Sequence, residues 1–246
     1  MNNYKNFAQV YDLLMIDYPY DEVYQWIVNK LREHHGSTEH ILEMACGTGS
    51  LTSYLLSLGK VDAFDGSEDM LAMAQHKLSA PGALRLFQMD MRTFQLDRRY
   101  DLILCLCDSL NYLSTIEELN QVFQSVFQAL NPGGLWLFDF NTEYNFKNYF
   151  KDHNFIFDLD EVYCVWDNFY DEENKANHYQ LDIFQPDGNY YKRSSEHHIE
   201  YAYTTDEIQK LIDKHGFKCL SINDGYTNNK ANSSSLRTTW TVVKEK

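Results

Sequence analysis

The segment Glu43-Met44-Ala45-Cys46-Gly47-Thr48-Gly49 sets two glycines two apart, directly after a short apolar run. Glycine tolerates positive φ and lets a ligand approach the backbone, so Gly47 and Gly49 read as a tight turn that grips a nucleotide. Asp65 follows about 20 residues on, at the end of the next apolar run, where a carboxylate can accept both hydroxyls of a ribose. A dinucleotide site uses the same pairing, but two details count against one. A dinucleotide turn wants a third glycine three positions after the second, and position 52 is Thr. A diphosphate wants a helix N-terminus open to anions, whereas the acidic Glu43 leads into this loop. Glu43 suits a ligand carrying an ammonium and a sulfonium instead.

Three further groups could move a proton. Asp139 ends a later apolar run, and His197 and His198 stand side by side in a strand-like stretch. Alternation along a strand lets only one of the two histidines face a pocket. Asp139 reads equally well as a strand-end cap. The cysteines at 46, 105, 107, 164 and 219 are odd in number and scattered. They suggest neither a disulfide framework nor a metal site; reduced thiols in a cytoplasmic protein are the expectation.

The elements that must hold these residues follow from apolar spacing. The stretch Tyr4 to Leu31 carries Phe7, Val10, Tyr11, Leu14 and Met15 at helical intervals, then a break at Asp17-Tyr18-Pro19-Tyr20, then Val23, Trp26, Ile27 and Leu31. Strands are expected at 40–45, 61–65, 84–90, 100–107 and 135–140. Helices are expected between them at 50–58, at 67–77 with Ser67 as N-cap, and from a capping box at Ser114-Thr115-Ile116-Glu117. That helix should bury Ile116, Leu119, Phe123, Val126 and Leu130 and stop at Asn131-Pro132-Gly133-Gly134. From Asn141 the rhythm changes. Residues 142 to 203 have little helical periodicity, and four stretches read as strands, two of them joined by Pro186-Asp187-Gly188 into a hairpin. A helix returns at Thr204 with Glu207 as its box partner, followed by strands near 217–223 and 238–244. The polar run 227–235 between them reads as a mobile loop.

The predicted fold is therefore α/β, with a doubly wound, mostly parallel seven-stranded sheet and helices on both faces, plus an inserted antiparallel β-subdomain. Residues 1–141 and 204–246 would form the nucleotide-binding domain, and 142–203 the insertion. The 246 residues are 44% hydrophobic, enough for a sizeable core. The net charge of −15 repels polyanions and disfavours a nucleic-acid substrate. No apolar run is long enough to span a bilayer, and the start Met1-Asn2-Asn3-Tyr4 has no signal-peptide pattern.

The loop Glu43-x-Ala45-Cys46-Gly47-Thr48-Gly49 resembles the first motif of class I methyltransferases that use S-adenosylmethionine (SAM). Asp65-Gly66-Ser67-x-x-Met70-Leu71-x-x-Ala74 resembles the second, and Gln88-Met89-Asp90-Met91-Arg92 the segment that binds adenine. Tyr100 to Ile103 resembles the family's fourth strand, and Cys107-Asp108-Ser109-Leu110-Asn111-Tyr112-Leu113 lies where contacts to methionine are made. The opening Tyr4-x-x-Phe7-Ala8-x-Val10-Tyr11-Asp12 is similar to that of small bacterial methyltransferases of unassigned acceptor. The resemblance covers about 1 to 141 and, more weakly, 200 to 244.

It implies roles residue by residue. Ala45, Cys46, Gly47, Thr48 and Gly49 would pack on the methionine and ribose, and Asp65 would hold the ribose hydroxyls beside Gly66. Ser67, Met70 and Met91 would line the adenine pocket, with Asp90 on the adenine amine. Cys107 and Asp108 would sit near the amino-acid part, and Tyr11 would close the pocket.

Absences narrow the acceptor. Asp108-Ser109-Leu110-Asn111 stands where many nucleobase amine methyltransferases have [Asp/Asn]-Pro-Pro-[Tyr/Phe], and no Pro-Cys pair supplies the nucleophile of a cytosine-carbon enzyme. The insertion is acidic and aromatic, a poor surface for RNA but suited to a small core or an acceptor lid. The leading expectation is methylation of a small molecule. A tRNA- or protein-directed methyltransferase and a non-catalytic SAM-binding regulator are the alternatives. Asp139, His198 and Tyr11 are the candidate catalytic residues, and a monomer or a homodimer fits equally well.

Overall fold

The computed structural model describes residues 7–151 and 153–245. Tyr4 of the opening motif and Asp152 of the acidic span lie outside the described residues. Two helices lead the chain, α1 (Phe7–Leu14) and α2 (Tyr20–Glu33). Alternating elements follow: β1 (His40–Met44), α3 (Ser50–Leu55), β2 (Lys60–Asp65), α4 (Glu68–Lys77), β3 (Leu84–Gln88), β4 (Tyr100–Cys105), α5 (Ile116–Ala129) and β5 (Leu130–Asn141). A short helical stretch, α6 (Glu143–Asn145) running into a π-turn over Phe146–Phe150, precedes four strands: β6 (Asn154–Leu159), β7 (Val162–Asp171), β8 (Ala176–Asp187) and β9 (Tyr190–Tyr201). The chain closes with α7 (Thr205–Lys214), β10 (Phe217–Asp224) and β11 (Arg237–Lys244).

Seven strands form one sheet in the order β10-β11-β5-β4-β1-β2-β3. Its central strands are near-continuous apolar runs because helices cover both faces. Two cores result. One packs α5 and α7 on the sheet through Phe123, Trp136, Phe138 and Ile208; the other packs α2 and α3 on the opposite face through Trp26, Ile27, Leu55 and Leu104. Only β11 runs against its neighbours, pairing antiparallel with both β5 and β10.

The four remaining strands form the expected antiparallel sheet, in the order β6-β7-β8-β9. Gly188, at φ 62°, turns the chain between β8 and β9. The apolar face of this sheet is not closed by its own residues. Val162, Cys164, Tyr179, Leu181 and Ile183 pack with Phe7, Ala8, Val10 and Leu14 of α1 and with Met70 of α4. Helix α1 therefore lies between the two sheets and belongs to the core of the second.

Several local expectations are corrected. The N-cap of α5 is Thr115, which accepts from Glu118 N, and Glu118 reaches back to Ser114 rather than Glu117 doing so. Ile116 is then the first helical residue, and at 44% exposure it is not on the buried face. Leu130 is buried as the first residue of β5, not the last of the helix; residues 131–134 bulge from the ladder between the pairs Tyr100↔Leu130 and Leu102↔Leu135. Strand β4 stops at Cys105 because Cys107 and Asp108 turn left-handed. The run 227–235 is fastened by Asp224 N donating to Asn229 O and Ala231 N to Ile222 O. Thr204 and Glu207 form the expected capping box, and Ser67 caps α4.

Candidate functional site

Strand order reverses between β1 and β4, so the chain leaves their carboxyl ends toward opposite faces and a crevice opens there. A cavity of about 400 Å³ occupies it, within the range of small-ligand sites. One end is built from the residues after β1 and β2: Glu43, Ala45, Cys46, Gly47, Thr48, Asp65, Gly66, Ser67 and Met70, with Met91. Cys107 and Asp108 form the side after β4. Tyr11 and Phe7 of α1 close it above, and Trp166, Tyr179, Leu181, His198 and Glu200 of the second sheet form the far wall.

The backbone around the cavity is strained. Among the described residues five non-glycine positions have positive φ, and three of them are here: Ala45 (52°), Cys107 (59°) and Asp108 (55°). Each costs about 1–2 kcal/mol relative to a right-handed conformation, and such strain gathers at ligand sites.

The two glycines divide their labour. Gly47, at φ 54°, lines the cavity and would meet nothing within 4 Å if given a Cβ. Gly49, at φ 79°, is not on the cavity wall. A Cβ there would stand 2.6 Å from Leu78 Cδ1 and 3.3 Å from Ala74 Cβ, so its small size serves the packing of α3 on α4. Gly47 N donates to Asp65 Oδ2 at 2.9 Å and Ser67 N to Asp65 Oδ1 at 2.8 Å, which fixes the carboxylate between the two loops. Burial raises the Asp65 pKa, against these backbone bonds, which lower it. Burial also pushes Glu43 up to about 8, opposed by Thr52 Oγ1 donating to its Oε2 at 2.5 Å. Thr52, at the position where a dinucleotide fold has glycine, therefore holds Glu43 in place.

Asp90 does not line this cavity. It forms a bidentate pair with Arg92, which holds its pKa low, in an adjoining cleft shared with Gly66, Gln88 and Met91. Asp139 also lies away from the cavity, fully buried. Its Oδ1 accepts from Asp108 N at 2.9 Å, and its Oδ2 accepts from Tyr226 OH at 2.5 Å and Arg237 Nη1 at 2.6 Å. Both oxygens are engaged with the loop after β4 and with β11, and neither faces the cavity. Of the paired histidines, His198 faces the cavity, with Glu196 Oε2 3.4 Å from its Nε2 and the rings of Phe7 and Tyr112 against it. His197 faces away and stacks on His178.

Several contacts carry no sequence signal, although Asp12 itself belongs to the opening motif. Asp12 of α1 accepts from Thr48 Oγ1 at 2.5 Å and pairs with Lys77 at 2.6 Å, latching α1 to the glycine loop. Arg237 reaches from β11 to Asp108 Oδ2 at 2.7 Å. Asn141 Nδ2 donates to Asp108 Oδ2 at 2.7 Å and to Glu200 Oε2 at 3.0 Å, joining β5, the loop after β4 and β9. These pairs are 33 to 129 positions apart in sequence, and no local pattern announces them.

The charge of the cavity decides its ligand class. Glu43, Asp65, Asp108 and Glu200 line it, and no Lys or Arg does so among the described residues. A diphosphate has no cation to meet there. A nucleoside bearing a sulfonium and an ammonium meets carboxylates at both ends, so the residues present fit SAM. Among the described residues no three His, Cys, Asp or Glu side chains are placed to hold a metal ion.

Comparison with known proteins agrees. Residues 41–134 match the family described as a methyltransferase domain. YqeM of Bacillus subtilis (strain 168), which carries a provisional methyltransferase name, is 31% identical over 245 residues, covering 99% of this chain and 98% of the relative. A dTDP-3-amino-3,4,6-trideoxy-alpha-D-glucopyranose N,N-dimethyltransferase of Streptomyces venezuelae is 34% identical over 131 residues, 52% of this chain and 54% of that protein. The crystal structure of a SAM-dependent methyltransferase from Clostridium acetobutylicum ATCC 824 superposes with a TM-score of 0.88 at 32% identity, covering 99% of both chains. Streptomyces venezuelae DesVI, at 24% identity, shares the fold with a TM-score of 0.78 over 97% of this chain and 98% of its own.

Proposed function

Because the chain belongs to the class I SAM-dependent methyltransferases, we propose that it methylates a small molecule held between the cofactor loops and the inserted sheet. The observation that carries this reading is the single cavity whose one end is the SAM-motif loop and whose other end is the inner face of the antiparallel sheet. Residues 142–203 then act as an acceptor subdomain on a nucleotide-binding domain formed by 1–141 and 204–246. An interior wall of Phe150, Trp166, Tyr179 and Leu181 suits a compact ligand, and a chain of net charge −15 gives a polyanion little to bind.

In this reading Asp65 holds the ribose hydroxyls, Gly47 lets the backbone come close, and Glu43 opposes the cofactor's positive charge. Ser67, Met70 and Met91 flank the adenine, with Asp90 at its outer edge. Cys107 and Asp108 border the methionine part, and Tyr11 covers it from α1. When bound, the sulfonium supplies an electrophilic methyl group. The protein's contribution is alignment and the exclusion of water, which can supply much of the rate of an in-line displacement. Helix α1, latched by Asp12, keeps the cavity covered.

Calorimetry with SAM, followed by a transfer screen with labelled SAM against metabolite, tRNA and protein fractions, tests the proposal. Tight SAM binding with label in the metabolite fraction is expected. Label confined to tRNA or protein would refute the small-molecule reading. No SAM binding at high micromolar concentration would remove the cofactor assignment. No helix among the described residues is long and apolar enough to cross a membrane.

A further inference from the structure

We propose that Glu200 is the residue that receives the acceptor, and that the acceptor presents a protonatable amine. This rests on the small-molecule reading above and adds the chemical class. Glu200 is 5% exposed and lines the cavity on the wall of the inserted sheet. Both of its donors, Tyr179 OH and Asn141 Nδ2, converge on one oxygen, Oε2, each at 3.0 Å. Among the described residues no donor reaches Oε1, and no Lys, Arg or His lies within ion-pair distance of the carboxylate.

Oε1 is not among the buried atoms left without a partner, so this half of the carboxylate opens onto the cavity, where a ligand can reach it. The nearest cation, Arg237, is already shared between Asp108 and Asp139, which leaves two carboxylates for one guanidinium before Glu200 is counted. Burial and the Asp108 charge accordingly raise the Glu200 pKa. A carboxylate so placed gains most from a ligand that brings its own positive charge and N–H donors.

The surroundings favour the same class. Phe150, Trp166 and Tyr179 pack edge to face beside Glu200, with ring centroids 5.3 Å apart for Trp166–Tyr179 and 5.9 Å for Phe150–Tyr179. Rings around a carboxylate are the arrangement that holds ammonium groups. A phosphate- or carboxylate-bearing acceptor would find no Lys or Arg on the described cavity wall. His198 also faces the cavity from this wall, but its imidazole is already set against Glu196, Phe7 and Tyr112. In the reaction a proton leaves the acceptor nitrogen for Glu200 Oε1, and the freed lone pair forms the N–C bond. The C–S bond breaks in the same displacement, and the sulfur keeps that electron pair.

The test uses the full chain, methyl-labelled SAM, and a cell metabolite extract split by ion exchange into cationic, neutral and anionic pools, beside tRNA and protein fractions. Label in the cationic pool alone is expected. With the acceptor purified from that pool, Glu200→Gln should raise its KM by more than about tenfold, the scale of one charge-assisted hydrogen bond. Affinity for S-adenosylhomocysteine by calorimetry should change less than about twofold. If Glu200→Gln loses that affinity through misfolding, Glu200→Asp keeps the charge, retracts it by one carbon and carries the same expectation. An unchanged KM in the folded variant overturns the role of Glu200. A purified labelled acceptor whose methyl sits on oxygen, sulfur or carbon overturns the amine while the small-molecule reading stands. Label only in tRNA or protein, or in no fraction, overturns both.

Discussion

Replacing Arg237 by Met tests whether the loop after β4 is held by charge. The guanidinium is 18% exposed, its partner Asp139 is fully buried, and the two contacts measure 2.6 Å to Asp139 and 2.7 Å to Asp108. Breaking a buried pair from one side costs about 3–5 kcal/mol, because the remaining charge is stranded. Asp139 keeps two donors, Asp108 N and Tyr226 OH, which places the expected loss near the lower end, about 3 kcal/mol. For a chain of this length that is a fall of roughly 6–12 °C in Tm. The loss should be smaller at pH 5 than at pH 7.5. Burial already raises the Asp139 pKa in the native protein, and removing its cation raises it further, so the fold then takes up a proton more readily than the unfolded chain as pH falls. Adding Asp139→Asn to Arg237→Met should restore at least half of the lost stability, since the stranded charge is gone. Thermal melts of the wild type, the two single variants and the double variant at both pH values complete the cycle. A loss below about 1 kcal/mol, or a double variant no more stable than Arg237→Met, would refute the charge account.

Three other outcomes follow from the site. Glu43, raised to about 8, is mostly protonated at pH 7 before SAM arrives. A cationic ligand favours its ionised form, so SAM binding at pH 7 should release up to about one proton more in the wild type than in Glu43→Gln. Calorimetry in two buffers of different ionisation enthalpy measures this, and equal proton release by both proteins would contradict the assignment. Gly49→Ala should cost about 2–4 kcal/mol from positive φ and the clash with Leu78, whereas Gly47→Ala, in open space, should cost about 1 kcal/mol and mainly weaken S-adenosylhomocysteine binding. Melts and calorimetry on both variants distinguish the two glycines. Thr204→Ala removes one half of the capping box of α7 and should lower stability by about 1 kcal/mol without changing cofactor affinity.

The parts of the molecule legible in the sequence are those whose chemistry is local. A glycine loop between an apolar strand and a helix, a carboxylate one strand later and a Ser or Thr before a helix each carry their meaning within a few residues. Gly47, Asp65, Ser67 and Thr204 accordingly stand where their types predicted. The rest depends on partners outside the window. Asp139 reads as either a base or a strand-end cap because Arg237, 98 positions on, is invisible from it. The pair of Asp90 with Arg92 is likewise set by the turn after β3. Ile116 looked buried because the helix phase hangs on whether Ser114 or Thr115 caps it. Asp12 belongs to the opening motif, but its latch to Thr48 and Lys77, like the contacts of Asn141 and Glu200, is created only by the tertiary fold.

The shared core of α1 and the inserted sheet bears on how such proteins diversify. Phe7, Val10 and Leu14 complete a hydrophobic layer whose other half, Cys164, Tyr179, Leu181 and Ile183, lies more than 140 residues away. The insertion is therefore not a self-contained cassette. A recombination that exchanged residues 142–203 for another lid would expose one apolar surface and orphan the other, unless the first helix travelled with it. The exchangeable unit would be discontinuous: α1 and the second sheet would have to move together, because each closes the other's core.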